Sequence, residues 1–387
     1  MEGIDVVKIR YKRERPRVGT SAGTMDDFIR LPYYIYKGCS QYVPDLESDI
    51  RDLFDQQKNP AYGFSLIQPF VAYLDGVAVG RIVGIINRKA NEKWQTRNVR
   101  FSLIEFIDDL RVSKALIDAV SEWGQSQGME AIHGPLGITD FDKEGMLVED
   151  FHLMGSINTV YNPDYYPRHM EALGFKKEVD WVQVHINIPE EVPARYVRTA
   201  QYAREQIGLR VIKLTDKDIF QRGYGQKVFD LLNEAYKPIF GFSELSSAQV
   251  KVFLDKYLRF IDNELIPVVV NAKQEVVGVA ISMGSLSKAM QKAKGRLWPF
   301  GWWPLLKTLK WSPDDNAEML LVAVRPDYQG LGVNALFFDD QIPVFNKLGF
   351  KWAETGPQLE DNLRELTQWK PLHPEYVKRR RCYIKKI

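Results

Sequence analysis

The sequence predicts an α/β protein made of two halves with a shared plan. Three observations carry that expectation. The 387 residues are 45% hydrophobic and 26% charged, the make-up of a folded globular chain of about two or three domains. Two segments far apart read as β-hairpins rich in Val and Ile. Behind each hairpin the same succession of strand, helix and strand follows at nearly the same spacing.

The first hairpin is FVAYLDGVAVGRIVGII, Phe70 to Ile86, with Asp75-Gly76 as its turn. The second is IPVVVNAKQEVVGVAISM, Ile266 to Met283, turning over Asn271 to Gln274. Both second arms carry a Val-Gly step, Val79-Gly80 and Val277-Gly278, where a strand glycine marks a bulge or a close backbone approach. After the first hairpin come the strand VRFSLIEF, a helical pattern and the strand EAIHGPL. Val112, Ala115, Leu116, Ala119, Val120 and Trp123 form one helix face, and Gly128 suits the C-terminal cap. After the second come AEMLLVAV, a helix with Leu336, Phe337 and Leu348 on its apolar face capped by Gly349, and KWAETGP. Val112 to Gly134 is 22 positions and Val333 to Gly356 is 23, as expected of diverged copies of one unit. The second copy holds about 24 extra residues, a basic and aromatic insertion near 284–316. The link between halves falls near Pro189 to Gly208, giving expected domains 1–195 and 196–387.

Lys and Arg number 52 against 50 Asp and Glu, a balance that argues against a nucleic-acid coat. Cys39 and Cys382 are too few for a disulfide scaffold, and the five histidines show no metal-ligand spacing, so neither a disulfide framework nor a metal site is expected. The opening MEGIDVVKIRYKRERPR has no apolar core of a signal peptide, no stretch reaches about 18 apolar residues, and no lipidation box is present; a cytoplasmic setting is expected.

The most informative string is AEMLLVAVRPDYQGLGVNAL, Ala317 to Leu336. An apolar strand runs into a glycine-containing loop that opens a helix, which presents main-chain N–H groups and the positive end of a helix dipole to an anion. Gly330 and Gly332 remove the side chains that would keep a phosphate off the backbone. A lone Gly-x-Gly is weak by itself.

The string resembles motif A of the GCN5-related N-acetyltransferase (GNAT) superfamily: a strand, then Arg/Gln-x-x-Gly-x-Gly/Ala, then a helix. Gln329, Gly330, Leu331, Gly332, Val333 and Asn334 occupy it, with Asn334 where the family pattern ends in Gly or Ala. Val322-Ala323-Val324 resembles the family's strand end, and ETGPQLEDN, ending at Asn362, its next strand and the asparagine on the cofactor arm. VGRIVGIINRKAN, FIDDLRVSKAL and YNPDYYPRHMEALGF extend the similarity, to a tandem-domain group of poorly defined function, over nearly the whole chain.

The resemblance implies two GNAT-like domains, each a mixed, mostly antiparallel sheet flanked by helices, and acetyl-CoA or another acyl-CoA as co-substrate. The pyrophosphate would rest on the amides of Gln329 to Asn334, and the pantetheine arm would pair beside Val322 to Val324. A primary amine would attack the thioester, with Glu318 accepting its proton. The family often supplies a tyrosine acid on the helix after the asparagine. Trp369 stands there, leaving Tyr376 and Tyr383 as candidates.

The first half has Asp108-Asp109-Leu110-Arg111 at the corresponding loop. Two carboxylates repel a pyrophosphate, so this half is expected to be a structural partner or a cleft wall, with Asn162, Tyr165 and Tyr166 matching the family's asparagine–tyrosine helix. Glu144, Glu149 and Asp150 are candidates for an acidic amine pocket, and Lys378 to Arg381 for a solvated strand edge or a contact to a cofactor phosphate. In the insertion, Trp298, Phe300, Trp302 and Trp303 beside Lys and Arg suggest either gap filling or a lid or peripheral lipid anchor. Two alternatives to acetyl transfer stay open: a long-chain N-acyltransferase acting on a lipid-like amine, and a non-catalytic fold used for sensing or protein binding. Oligomeric state is not legible.

Overall fold

The computed structural model describes residues 3–8, 24–256 and 258–387; the basic stretch following Lys8 lies outside them. Local chemistry produces the elements. The first hairpin joins Ser65–Leu74 to Val77–Asn87. Asp75 and Gly76 both adopt positive φ, 51° and 75°, the primed turn whose twist matches its strands. The second hairpin joins Pro267–Val270 to Val276–Gly284, and Asn271 Oδ1 closes its turn by accepting from the N–H groups of Lys273 and Glu275 at 3.0 Å. The two central helices are Leu110–Ser126 and Val333–Leu348.

Contacts group the chain into two units, where a single cut between 195 and 196 was expected. The first holds the described residues up to Trp181, then Ala289–Pro304 and Lys378–Ile387; the second holds Val182–Lys288 and Leu305–Val377. The C-terminal strand, Glu375–Lys386, thus gives most of its length to the first unit.

The first unit orders its strands Asp5–Lys8, Ser65–Leu74, Val77–Asn87, Asn98–Phe106, Ala131–Gly134, and then the C-terminal strand. Neighbours run antiparallel except Asn98–Phe106 with Ala131–Gly134, which pair in parallel only over Asn98 to Arg100. The second unit repeats the order with Arg210–Lys213, Pro267–Val270, Val276–Gly284, Asn316–Val324 and Trp352–Thr355, bounded by residues 185–187. Here too the fourth strand pairs in parallel with the fifth, Asn316 to Met319 beside Trp352 to Thr355. Each unit is therefore a mixed, mostly antiparallel sheet with helices on its faces.

The Val-Gly steps explain how each central helix seats. A Cβ on Gly80 would lie 2.8 Å from both Val112 Cγ1 and Leu116 Cδ1; one on Gly278 would lie 2.6 Å from Val333 Cγ1 and 3.0 Å from Phe337 Cζ. In both units a helix presses an i, i+4 pair of apolar side chains onto a bare strand backbone. The first core gathers Phe70, Phe101, Phe106, Val112, Leu116 and Tyr166; the second gathers Val184, Val269, Val277, Leu336, Phe345 and Ala353.

Candidate active site

The motif strand Asn316–Val324 bonds to Val276–Gly284 along its whole length but to Trp352–Thr355 only at its start. The last rung on that side is the Gly356 N–H donating to Met319 O at 2.8 Å. Beyond it the two parallel strands part. Arg325 N–H bonds to Val277 O at 2.9 Å, so alternation along the antiparallel ladder turns the N–H and C=O groups of Val322 and Val324 the other way, into the gap. Leu320, Leu321, Val322 and Val324 are only half-buried although the strand is interior to its sheet. Both carbonyls facing the gap are engaged: Tyr236 donates its hydroxyl to Val322 O at 3.0 Å, and Gln329 Nε2 donates to Val324 O at 3.4 Å.

The strand then turns through Pro326–Tyr328 into the loop. Gly330 and Gly332 take φ of 84° and 88°, which glycine adopts without a Cβ penalty. A Cβ on Gly332 would also lie 3.1 Å from Thr199 O and from Ala203 Cβ, whereas the space beside Gly330 is open. Gly332 is the N-cap of Val333–Leu348 and has no side chain to cap with. No partner is recorded among the described residues for the N–H groups of Gly330, Val333 and Asn334. The Asn334 side chain turns to Gln368, donating to its Oε1 at 2.6 Å. Arg364 donates to Gln329 Oε1 at 2.8 Å, which sets a cation beside the loop; Arg325 is instead held by Asp327 and Glu275.

Glu318 is 4% exposed, not the surface carboxylate that its place at a strand start suggests. Its Oε1 accepts from Ser285 Oγ at 2.7 Å and Ser287 Oγ at 3.1 Å. In register beside it on the parallel strand is Glu354, also buried, which accepts from Gln183 Nε2 at 2.8 Å. Sequence reasoning missed Arg364, Glu354, Gln183 and the two serines. The serines had a local signal, the polar SLSK following the hairpin; Gln183 and Glu354 meet only through strand pairing.

The remaining expected residues lie elsewhere. Asn362 is exposed and caps the short Leu363–Thr367 helix through Glu365 N–H at 3.3 Å. The Tyr376 hydroxyl donates to Leu366 O at 3.1 Å. Tyr383 belongs to the first unit's core, 1% exposed, and burial pushes its hydroxyl up to about 12. Lys378 to Arg381 are not a solvated edge. Lys378 and Arg380 are buried, Arg379 pairs with Glu149 at 3.2 Å, and Arg381 grips Asp180 at 2.8 and 3.0 Å, so this run is spent inside the first unit. Asp150 accepts from Lys378 N–H, and Glu144 is raised well above the usual carboxylate range by burial and by Asp140.

At the first unit's equivalent loop, Asp109 caps its own helix, accepting from Arg111 N–H at 2.9 Å, and Asp108 bonds to His169 at 2.9 Å. A carboxylate of the chain already holds the place an anion would take. The gap between the first unit's parting strands nonetheless opens into a small cleft, lined by Arg81, Glu105, Lys143, Tyr161 and Tyr166 among others. Glu105 accepts from Tyr166 at 2.9 Å and from Tyr36, with Arg81 at 3.8 Å. Burial pushes Glu105 up to about 7, against the pull of Arg81 and the two tyrosines. Elsewhere in this unit His133 Nδ1 and Cys382 Sγ converge on Glu178 Oε2 at 3.0 and 3.3 Å, donors of metal-binding type that sequence spacing did not reveal. Their mutual hydrogen bonds already satisfy one another.

This fold is similar to that of solved tandem GNAT proteins. The structure matches the tandem GNAT protein of clavulanic acid biosynthesis with a TM-score of 0.57 at 11% identity, covering 99% of this chain and 98% of that one. It matches a GCN5-related N-acetyltransferase from Sphaerobacter thermophilus with a TM-score of 0.50 at 12% identity, over 93% and 91% of the two chains. In sequence, the chain is 25% identical to Protein YghO of Escherichia coli K12 over 93% of this chain and 92% of that protein. It is 24% identical to the bacterial ceramide synthase of Caulobacter vibrioides over 78% of each. No family model matches the sequence. Among the described residues no helix is long and apolar enough to cross a membrane.

Proposed function

We propose that the protein is an acyl-CoA-dependent N-acyltransferase whose second unit holds the acyl-CoA and forms an amide on a primary amine, acetyl being the simplest acyl group. The observation that carries this reading is the contrast between the two loops: a glycine N-cap with open amides in the second unit, a self-capped carboxylate loop in the first. The residues fit the co-substrate. The amides of Gly330, Val333 and Asn334 donate to the pyrophosphate, with Arg364 adding charge. The N–H groups of Val322 and Val324, turned into the strand gap, pair with the pantetheine arm, and that of Val324 polarises the thioester carbonyl as an oxyanion-type donor.

The amine nitrogen forms its bond to the acyl carbon as the carbon–sulfur bond breaks. The proton lost by nitrogen goes to Glu318, whose acceptor oxygen is fixed by Ser285 and Ser287. The departing thiolate takes a proton from solvent and leaves as the thiol, and Glu318 returns its proton to solvent. Titration calorimetry with acetyl-CoA and longer acyl-CoAs, coupled to release of free thiol over an amine panel, tests the reading. Saturable binding with thiol release supports it; binding without turnover favours a sensing role; no binding sinks it.

A second reading, transfer of a long-chain acyl group to a lipid-like amine, draws support from the relative named as a bacterial ceramide synthase. Palmitoyl-CoA outcompeting acetyl-CoA as donor would select it, and the reverse order would exclude it.

A further inference from the structure

The insertion carries a second, separate story. From Lys288 to Lys310 the chain has six cationic side chains and no Asp or Glu. Its base is bound firmly to the first unit. Gln291 Nε2 donates to Ser40 O at 2.8 Å and Tyr42 O at 2.9 Å, Arg296 pairs with Glu47 at 2.6 Å, and Glu47 N–H donates to Gly295 O at 2.9 Å. Beyond that base the backbone folds back on itself. Trp302 N–H bonds to Leu297 O at 3.0 Å and Trp303 N–H to Phe300 O at 3.2 Å. A Cβ on Gly301 would come within 1.6 Å of Arg296 O, so only glycine closes this loop.

The outcome is the reverse of gap filling. Trp298 is 82% exposed, Phe300 77%, Trp302 41%, Trp303 50% and Trp311 64%. The Trp302–Lys310 helix, WWPLLKTLK, buries none of its residues. Single exposed apolar residues need no explanation, but five large aromatics within 14 positions do. Around them stand Lys292, Lys294, Lys307 and Lys310, which make no ion pair among the described residues.

We propose that this segment is a membrane-surface anchor that lays its aromatic tip into the headgroup region of a bilayer bearing anionic lipid. Tryptophan and phenylalanine favour that depth because their rings are apolar and large, and the four lysines match the negative surface potential of such a leaflet. A neutral apolar groove on a partner protein would leave those charges unanswered. The inference stands apart from the acyl-transfer reading, since it needs neither co-substrate nor amine.

The experiment is vesicle co-sedimentation of the full chain. It uses phosphatidylcholine vesicles with and without phosphatidylglycerol, and tryptophan emission is read alongside. The expected result is association with the anionic vesicles, a blue shift of emission, and weakening at high salt. Trp298→Ala with Phe300→Ala lowers binding by about tenfold or more, because those side chains lose their apolar burial. Replacing the four lysines with Gln costs about fivefold per charge and abolishes the preference for anionic lipid. Both variants alter exposed side chains, and an unchanged thermal melt confirms that they fold. No association of the wild type with either vesicle overturns the proposal, as does undiminished binding of the aromatic variant. A concentration-dependent dimer that the same aromatic substitutions dissolve also overturns it, by showing that a second copy covers the patch.

Discussion

Glu105 and Gly332 show how single residues report on the two units. Glu105 is fully enclosed in the first unit's cleft, and burial lifts it from 4.5 to about 7. A carboxyl raised on folding binds more protons native than unfolded between those values, so it lowers stability as pH climbs from about 4.5 to about 7 and has no further effect above. The shift corresponds to about 3 kcal/mol. Glu105→Gln, followed by urea unfolding across that window, is expected to flatten the fall in stability; an unchanged slope would show that another group is responsible. Gly332 combines positive φ with a neighbouring helix that would lie 3.1 Å from any Cβ placed on it. Gly332→Ala is expected to cost about 1–3 kcal/mol by strain and crowding, read as a lowered melting temperature. A neutral outcome would contradict the close seating of the loop.

At the scale of elements, the paired glycines tie the two halves together. Gly80→Ala and Gly278→Ala each drive a Cβ into an i, i+4 pair on the central helix and are each expected to destabilise by about 1–3 kcal/mol in thermal unfolding. If one is tolerated, the two helices do not seat alike. The hairpins, the helix caps at Gly128 and Gly349, and the strand–loop–helix motif were legible because each is written in adjacent residues. The run Lys378 to Arg381 was not: its burial depends on Glu149 and Asp150, which follow the paired strand Met146–Leu147, and on Asp180, which lies on the neighbouring strand Lys176–Asn187. The first-unit cleft had a signal that went unread, namely the charges of Glu105 and Arg81 inside mostly apolar strands. A charge in a buried strand implies a partner, but the sequence does not say which. The burial of Glu318 was not legible either, since a polar residue at a strand start looks exposed until the strands beside it are known.

Across the whole molecule, one plan occurs twice with opposite electrostatics at the loop. The first unit caps its own helix with Asp109, and the second leaves the same kind of helix end open behind Gly330 and Gly332. The chain matches a tandem GNAT protein along 99% of its length yet carries the glycine motif once. The account depends on that open end receiving an anionic nucleotide thioester. Gly330 offers a clean probe, since a side chain there meets open space and both Asn and Asp tolerate its left-handed backbone. Calorimetric titration of CoA into the wild type, Gly330→Asn and Gly330→Asp separates shape from charge. The account predicts saturable binding by the wild type, modest weakening by Asn, and a loss of about tenfold or more by Asp relative to Asn, as a carboxylate meets the pyrophosphate. Equal affinity of the Asn and Asp variants, or no binding by the folded wild type, would contradict it.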